Sequence, residues 1–133
     1  MDRERVQAWL DRYVEAWESY DEAVIGDLFS EDVEYRYHPA DEPIRGRDAV
    51  VRSWTQPDGN ASDRDEAGTW MASYEPYAVD RDRAVAVGES LYFSDASRHK
   101  LDRAYDNCFL LEFDAEGRCR RFTELYVKRG DAG

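Results

Sequence analysis

Residues 107–127, NCFLLEFDAEGRCRRFTELYV, decide the fold. Two runs of apolar and β-prone residues flank Asp-Ala-Glu-Gly, so the stretch reads as an antiparallel hairpin. A turn held between Phe113 and Arg118 sets Asn107 opposite Glu124 and Phe109 opposite Phe122, all on one side of the sheet. The same register sets Cys108 opposite Thr123 and Cys119 opposite Glu112, so no cross-strand disulfide is expected. A bulge would move every pair by one residue.

Upstream of the hairpin the chain is also strand after strand. Residues 69–77, 84–93 and 101–113 precede the last strand at 118–128, with turn-like VDRD, SDASRHK and DAEG between them. In 84–93, Glu89 shares a face with Val85, Val87 and Leu91, which makes it a second candidate interior carboxylate. The N-terminal part has a helical period instead. Val6, Trp9, Leu10, Tyr13, Val14 and Trp17 recur at spacings of three and four, giving one apolar stripe on a helix over about 3–19. Asp21 caps a short second helix with Val24, Ile25, Leu28 and Phe29 inward, ended by Ser30-Glu31-Asp32.

At Val33 the period changes to two, and Val33-Tyr35-Tyr37 alternate with Glu34-Arg36-His38 until Pro39 stops the strand. A loop follows, then a third helix from Gly46-Arg47-Asp48 in which Ala49, Val50, Ser53 and Trp54 share a side. Residues 56–67 are polar and rich in breakers, as an exposed loop would be. Helices first and a meander last make the class α+β, as one domain over 1–133 with an ordered core of about 3–128. The picture is of N-terminal helices packed on a strongly curved antiparallel or mixed sheet, a cone-like barrel around an internal cavity.

Composition narrows the function. With 133 residues, 42% hydrophobic and 14% aromatic, the chain has the material for one buried core despite 36% charged residues. A net charge of -12 repels phosphate backbones, so no nucleic-acid partner is expected. The charged opening MDRERVQAWLDRYVEAW is unlike a secretion signal, and no apolar run approaches ~20 residues, so no membrane partner and a cytoplasmic location are expected. Two cysteines suit no metal or disulfide framework, and HxH, HExxH, glycine-rich phosphate loop and GxSxG patterns are absent from the sequence. No metal and no cofactor are expected.

Three stretches carry a family resemblance: VQAWLDRYVEAWESYDEAVIGDLFSEDVEY (6–35), DEPIRGRDAVVRSW (41–54) and the hairpin above. Together they resemble the nuclear-transport-factor-2-like superfamily, in particular its SnoaL-like branch of ketosteroid isomerase-type and polyketide cyclase-type folds. That resemblance implies a cavity between helices and sheet. It also implies that Tyr13 stands where ketosteroid isomerases keep an oxyanion-binding tyrosine, and that His38 stands where they keep an aspartate base. Their second oxyanion donor, an aspartic acid, aligns with Phe109. The departures at His38 and Phe109 argue against ketosteroid isomerisation while leaving a pocket fit for proton transfer.

The candidate catalytic residues are therefore Tyr13, His38, Asn107 and Glu124. Interior Asn107 and Glu124 cost free energy unless paired or engaged by a ligand, and burial would raise the carboxyl's pKa toward a range useful for proton transfer. An Asn or Glu satisfied by arginine and serving only the sheet is the competing reading. For His38, alternation allows the wet face, whereas the resemblance turns it inward. Candidate ligand-binding residues are Trp17, Trp54, Trp70, Glu89, Phe109, Phe122 and Tyr126. Two functions fit: a cofactor-independent isomerase, cyclase or dehydratase acting on a small apolar organic molecule, or a non-catalytic ligand-binding or dimerising scaffold. A homodimer is expected in either case.

Overall fold

Asp2 starts the first helix by accepting the Arg5 N–H at 2.8 Å, and α1 (Arg3–Ser19) then buries Val6, Trp9, Leu10, Tyr13 and Ala16 along its predicted stripe. Tyr20, at φ 51°, closes it by donating its N–H to Ala16 O. Asp21 caps α2 (Glu22–Asp27) through the N–H groups of Ala23 and Val24. The structure is a computed structural model that describes residues 1–55 and 69–130, so the loop expected at 56–67 lies outside the described residues.

The second helix stops earlier than its apolar pattern suggests. Leu28 is its cap, and Phe29 begins β1 (Phe29–Arg36) in place of Val33. The last strand competes for this segment: Cys119 N–H donates to Leu28 O at 2.9 Å and Phe29 pairs with Cys119. The linker beyond Pro39 contains a two-residue strand, β2 (Ile44–Arg45), paired to Tyr35 and Glu34, before α3 (Arg47–Thr55). Gly46, at φ +93°, makes the corner between them and donates to Val33 O.

The rest of the sheet is β3 (Trp70–Asp80), β4 (Arg83–Phe93), β5 (Leu101–Phe113) and β6 (Cys119–Lys128). The six strands run in the order β2-β1-β6-β5-β4-β3, with β1 and β6 parallel and every other pair antiparallel. The class is α+β as expected: helices on one face of a curved mixed sheet. The sheet stays open, with β2 and β3 as its edges, and is not a closed barrel.

The last hairpin differs in register from the sequence expectation. Asn107 pairs with Tyr126, Phe109 with Glu124 and Leu111 with Phe122, while Cys119 faces Phe113 and Cys108 faces Leu125. Two single-residue offsets add. Asp114 Oδ1 accepts the N–H groups of Glu116 and Arg118, which draws Arg118 into the turn and makes Phe113 and Cys119 the first pair. A bulge next to Phe113 supplies the second offset. A shift of two keeps every side chain on its predicted face, so Asn107, Phe109, Phe122 and Glu124 still look inward.

The assignment of β4 is reversed. Ala84, Ala86 and Ser90 are buried, whereas Glu89, with Val85 and Val87, is on the outer face. Small residues point inward because aromatic rings fill that space. A Cβ on Gly88 would lie 2.0 Å from Ser73 O and 2.8 Å from Tyr74 Cα, so β3 and β4 approach closely only over glycine.

Helix α1 lies across β3, with Gln7 Nε2 donating to Tyr74 O at 3.0 Å and Arg3 to Pro76 O. Trp9 joins helix to sheet, donating to Leu28 O and packing on Tyr13, Phe29, Phe113 and Phe122. Asp27 ties α1 and the final turn to α2 through Arg12 and Arg118. Among the described residues no helix is long and apolar enough to cross a membrane, and no three His, Cys, Asp or Glu side chains are grouped as metal ligands.

Candidate functional site

Glu124 is delivered to the interior by β6, one inward position beyond Phe122 and opposite Phe109. It makes no hydrogen bond or ion pair with the described residues, and burial pushes its carboxyl up to about 7. At neutral pH it therefore exists as acid and base in comparable amounts, the condition in which a carboxyl best moves a proton.

Four tyrosines lie close enough to feel its charge. Burial raises the hydroxyls of Tyr13, Tyr35, Tyr37 and Tyr74 above the usual tyrosine value, and the nearby Glu124 charge adds to the effect in each. They stay protonated at any ordinary pH and can act as neutral hydrogen-bond donors. Tyr13 arrives from α1, Tyr35 and Tyr37 from β1 and Tyr74 from β3, so three elements converge on one carboxyl. Phe109 and Phe122 wall the same space, with Phe122 stacked on Tyr35 at 4.4 Å.

The polar groups differ in how well they are satisfied. Tyr37 shares a 3.1 Å hydrogen bond with Ser53, which itself donates to Val50 O. Ser90 donates to Asn107 Oδ1 at 3.0 Å, leaving the Asn107 amide free to donate, and its hydroxyl also serves Tyr74. The Tyr13 and Tyr35 hydroxyls face one another closely enough to couple their ionisation, yet Tyr35 Oη completes no hydrogen bond. Trp54 Nε1 is likewise buried without an acceptor.

Of the four candidate catalytic residues, the structure brings Tyr13 and Glu124 together. Asn107 is on the same inward face, held by Ser90 one strand away. His38 is not in the cluster. It is exposed beyond the end of β1, and its ring lies 5.1 Å from Tyr126 with Nε2 3.4 Å from the Tyr126 hydroxyl. The alternation that buries Val33 and Tyr35 turns His38 to the wet side.

Among the candidate ligand residues, Trp54 is buried and stacked on half-buried Trp17 at 4.1 Å. Trp70 is half-buried at the start of β3, and Tyr126 is exposed at the open end near Tyr105 and His38. Glu89 is outside, bound to Arg129, and so is not an interior carboxylate. Tyr35, Tyr37, Tyr74 and Ser90 belong to the site and were missed as candidates. The alternating Val33-Tyr35-Tyr37 triplet was the available signal for two of them. A separate cleft of about 580 Å³ between α2 and α3 holds Arg47, Arg52 and Arg118 against Glu22, Asp27 and Asp48, and none of the candidate residues lines it.

Comparison with known proteins places this geometry in context. The SnoaL-like domain model matches residues 10–122. Among solved structures, the chain is similar to the crystal structure of a "putative ketosteroid isomerase" from Kribbella flavida DSM 17836. The two share 18% identity and a TM-score of 0.67, over 99% of this chain and 84% of that one. At that identity the likeness speaks for the fold. No curated protein matches the chain.

Proposed function

The chain belongs to the SnoaL-like domain family, and on that premise we propose that it is a cofactor-independent acid/base enzyme whose proton-moving group is Glu124. The observation that carries this reading is an interior carboxyl, unpaired among the described residues and raised to about 7 by burial, with tyrosine hydroxyls around it. In the proposed cycle Glu124, as carboxylate, takes a proton from carbon next to an electron-withdrawing group. Tyr13 and the Asn107 amide donate to the oxygen on which charge develops, and the protonated Glu124 returns the proton to the same or a neighbouring carbon. Isomerisation, cyclisation and dehydration all use these parts, and the aromatic walls suit a small apolar substrate.

The test is turnover of a panel of enolisable carbonyl compounds by Glu124→Gln and His38→Ala variants. The expected result is a loss of about a hundredfold or more for Glu124→Gln and near wild-type rates for His38→Ala. Full activity in Glu124→Gln removes the assignment.

A second reading, a dimerising ligand-binding scaffold, has its own support on the other side of the sheet. Among the described residues no helix covers the outer face, where Leu110, Leu125 and Val127 are exposed around half-buried Val85, Val87 and Cys108. Charged pairs flank this apolar centre at both ends, Arg121 with Glu34 and Arg129 with Asp106, so a second copy could meet it with apolar area and opposite charges together. We propose a homodimer through this face, compatible with either function, and a cytoplasmic location.

A further inference from the structure

The cleft between α2 and α3 lies apart from the Glu124 interior, and most of its charged side chains have nothing to pair with. Asp27 is committed, held by Arg12 and Arg118. Glu22, Asp48 and Arg52 are not: their side chains form no hydrogen bond or ion pair among the described residues. Arg47 donates only its Nε, to Phe29 O at 3.0 Å, which leaves its terminal nitrogens open. Two cations and two anions thus share one cleft of about 580 Å³ without meeting. Asp48 and Arg52 even stand four positions apart on α3, the spacing at which such side chains ordinarily pair.

The apolar lining comes from Ala23, Gly26 and Val51, and one of these has no side chain. Glycine disfavours a helix, yet Gly26 is buried within α2 without a left-handed φ. A Cβ there would meet Arg47 Cδ at 3.6 Å and Val51 Cγ2 at 3.8 Å, ordinary contacts, so packing does not require the glycine. What a side chain would do is fill the cleft. The unpaired groups narrow the occupant further. An anion alone is opposed by Glu22 and Asp48, and a cation alone by Arg47 and Arg52. A zwitterion answers both signs, with its carboxylate on guanidinium and its ammonium on carboxylate. Arg47 and Asp48 are adjacent on α3, so the ligand's two charges must lie close together, as they do across the single carbon of an α-amino acid.

We propose that the cleft between α2 and α3 is a binding site for a free α-amino acid with an apolar side chain, independent of the proton transfer assigned to Glu124. Arg47 and Arg52 hold the carboxylate, Glu22 and Asp48 hold the ammonium, and Gly26 leaves room for the side chain against Val51. The volume lies within the ~300–1,000 Å³ of sites that take small molecules. The bound molecule bridges the two helices, since Glu22 belongs to α2 and the other three charged groups to α3.

The experiment is isothermal titration calorimetry of the full chain near neutral pH with three probes of one shape. L-leucine carries both charges, isoamylamine only the ammonium and isocaproate only the carboxylate. The expected result is L-leucine binding with Kd of ~1 mM or tighter, and each analogue weaker by about tenfold or more. Arg52→Ala and Glu22→Gln change exposed side chains that hold nothing in the fold, and each should weaken L-leucine binding by about tenfold. Gly26→Leu, which puts a side chain of this chain into the cleft, should abolish it. Circular dichroism establishes that each variant is folded before titration. No binding of L-leucine, or an analogue that binds as tightly, overturns the proposal. So does L-leucine affinity left unchanged by any of the three substitutions, which would put the ligand elsewhere on the molecule.

Discussion

Glu124 stabilises the fold least when it is charged, and the sign is opposite to that of an ordinary paired carboxylate. Its pKa is about 7 in the folded chain against 4.5 for the free group, so between those values the folded state holds a proton that the unfolded state has lost. Stability from this group is therefore full below about 4.5, falls as pH rises toward 7, and levels off above. The span corresponds to on the order of 3 kcal/mol. Glu124→Gln should raise stability at pH 8 by roughly 1–3 kcal/mol in urea denaturation, with the gain vanishing at pH 4. A variant no more stable at pH 8 would mean that the carboxyl is already solvated or paired. The two cysteines provide a second check on placement. Cys119 is fully buried, its thiol pushed up to about 12 by burial and donating to Arg121 O, whereas Cys108 is half-buried on the outer face. With the outer face freed of a partner by Leu110→Glu, thiol reagent should modify one cysteine per folded chain, Cys108, and both after unfolding.

At the scale of elements, sequence pattern resolved what depends on local period and failed where a neighbour intervenes. The stripe on α1 is local, and Asp2 and Asp21 cap helices by contacts within three residues, so both helix starts were legible. The apolar spacing of Phe29 fits α2 and predicts helix, but pairing with Cys119, ninety positions away, makes it strand. In β4 the sequence pattern assigns the interior to the larger side chains, Val85, Val87 and Leu91. The opposite holds because the rings of Phe109 and Tyr74 occupy that space, leaving room for Ala86 and Gly88. Glu124 was legible because a two-residue register error preserves the face. Tyr74 and Ser90 were not, since nothing local couples β3 and β4 to the carboxyl. Gly88→Ala should test the close approach directly. Its methyl would strike the Ser73 carbonyl, so a loss of about 3 kcal/mol or more is expected, together with a displaced Tyr74 seen in side-chain NMR shifts. Tolerance of alanine with less than about 0.5 kcal/mol lost would show that the strands are further apart.

The whole molecule divides its chemistry between two sides of one sheet. The helix-covered side gathers Tyr13, Tyr35, Tyr37, Tyr74 and Glu124, and the other side carries exposed Leu110 and Leu125, the surface proposed to meet a second copy. Sedimentation should find a dimer that Leu110→Glu, placing a charge at the centre of the bare face, converts to monomer while leaving the interior unchanged. A wild-type monomer at every concentration would contradict that surface's proposed role. The fold keeps Glu124 unpaired among the described residues and poised near neutrality inside an aromatic shell, and titration of Glu124 itself tests this most directly. With ¹³C-labelled glutamate, and Glu124→Gln to assign the resonance, the side-chain carboxyl signal of Glu124 should titrate with a midpoint near 7, as burial sets it. A midpoint near 4.5, where a solvated glutamate titrates, would show that the carboxyl is not held in the interior.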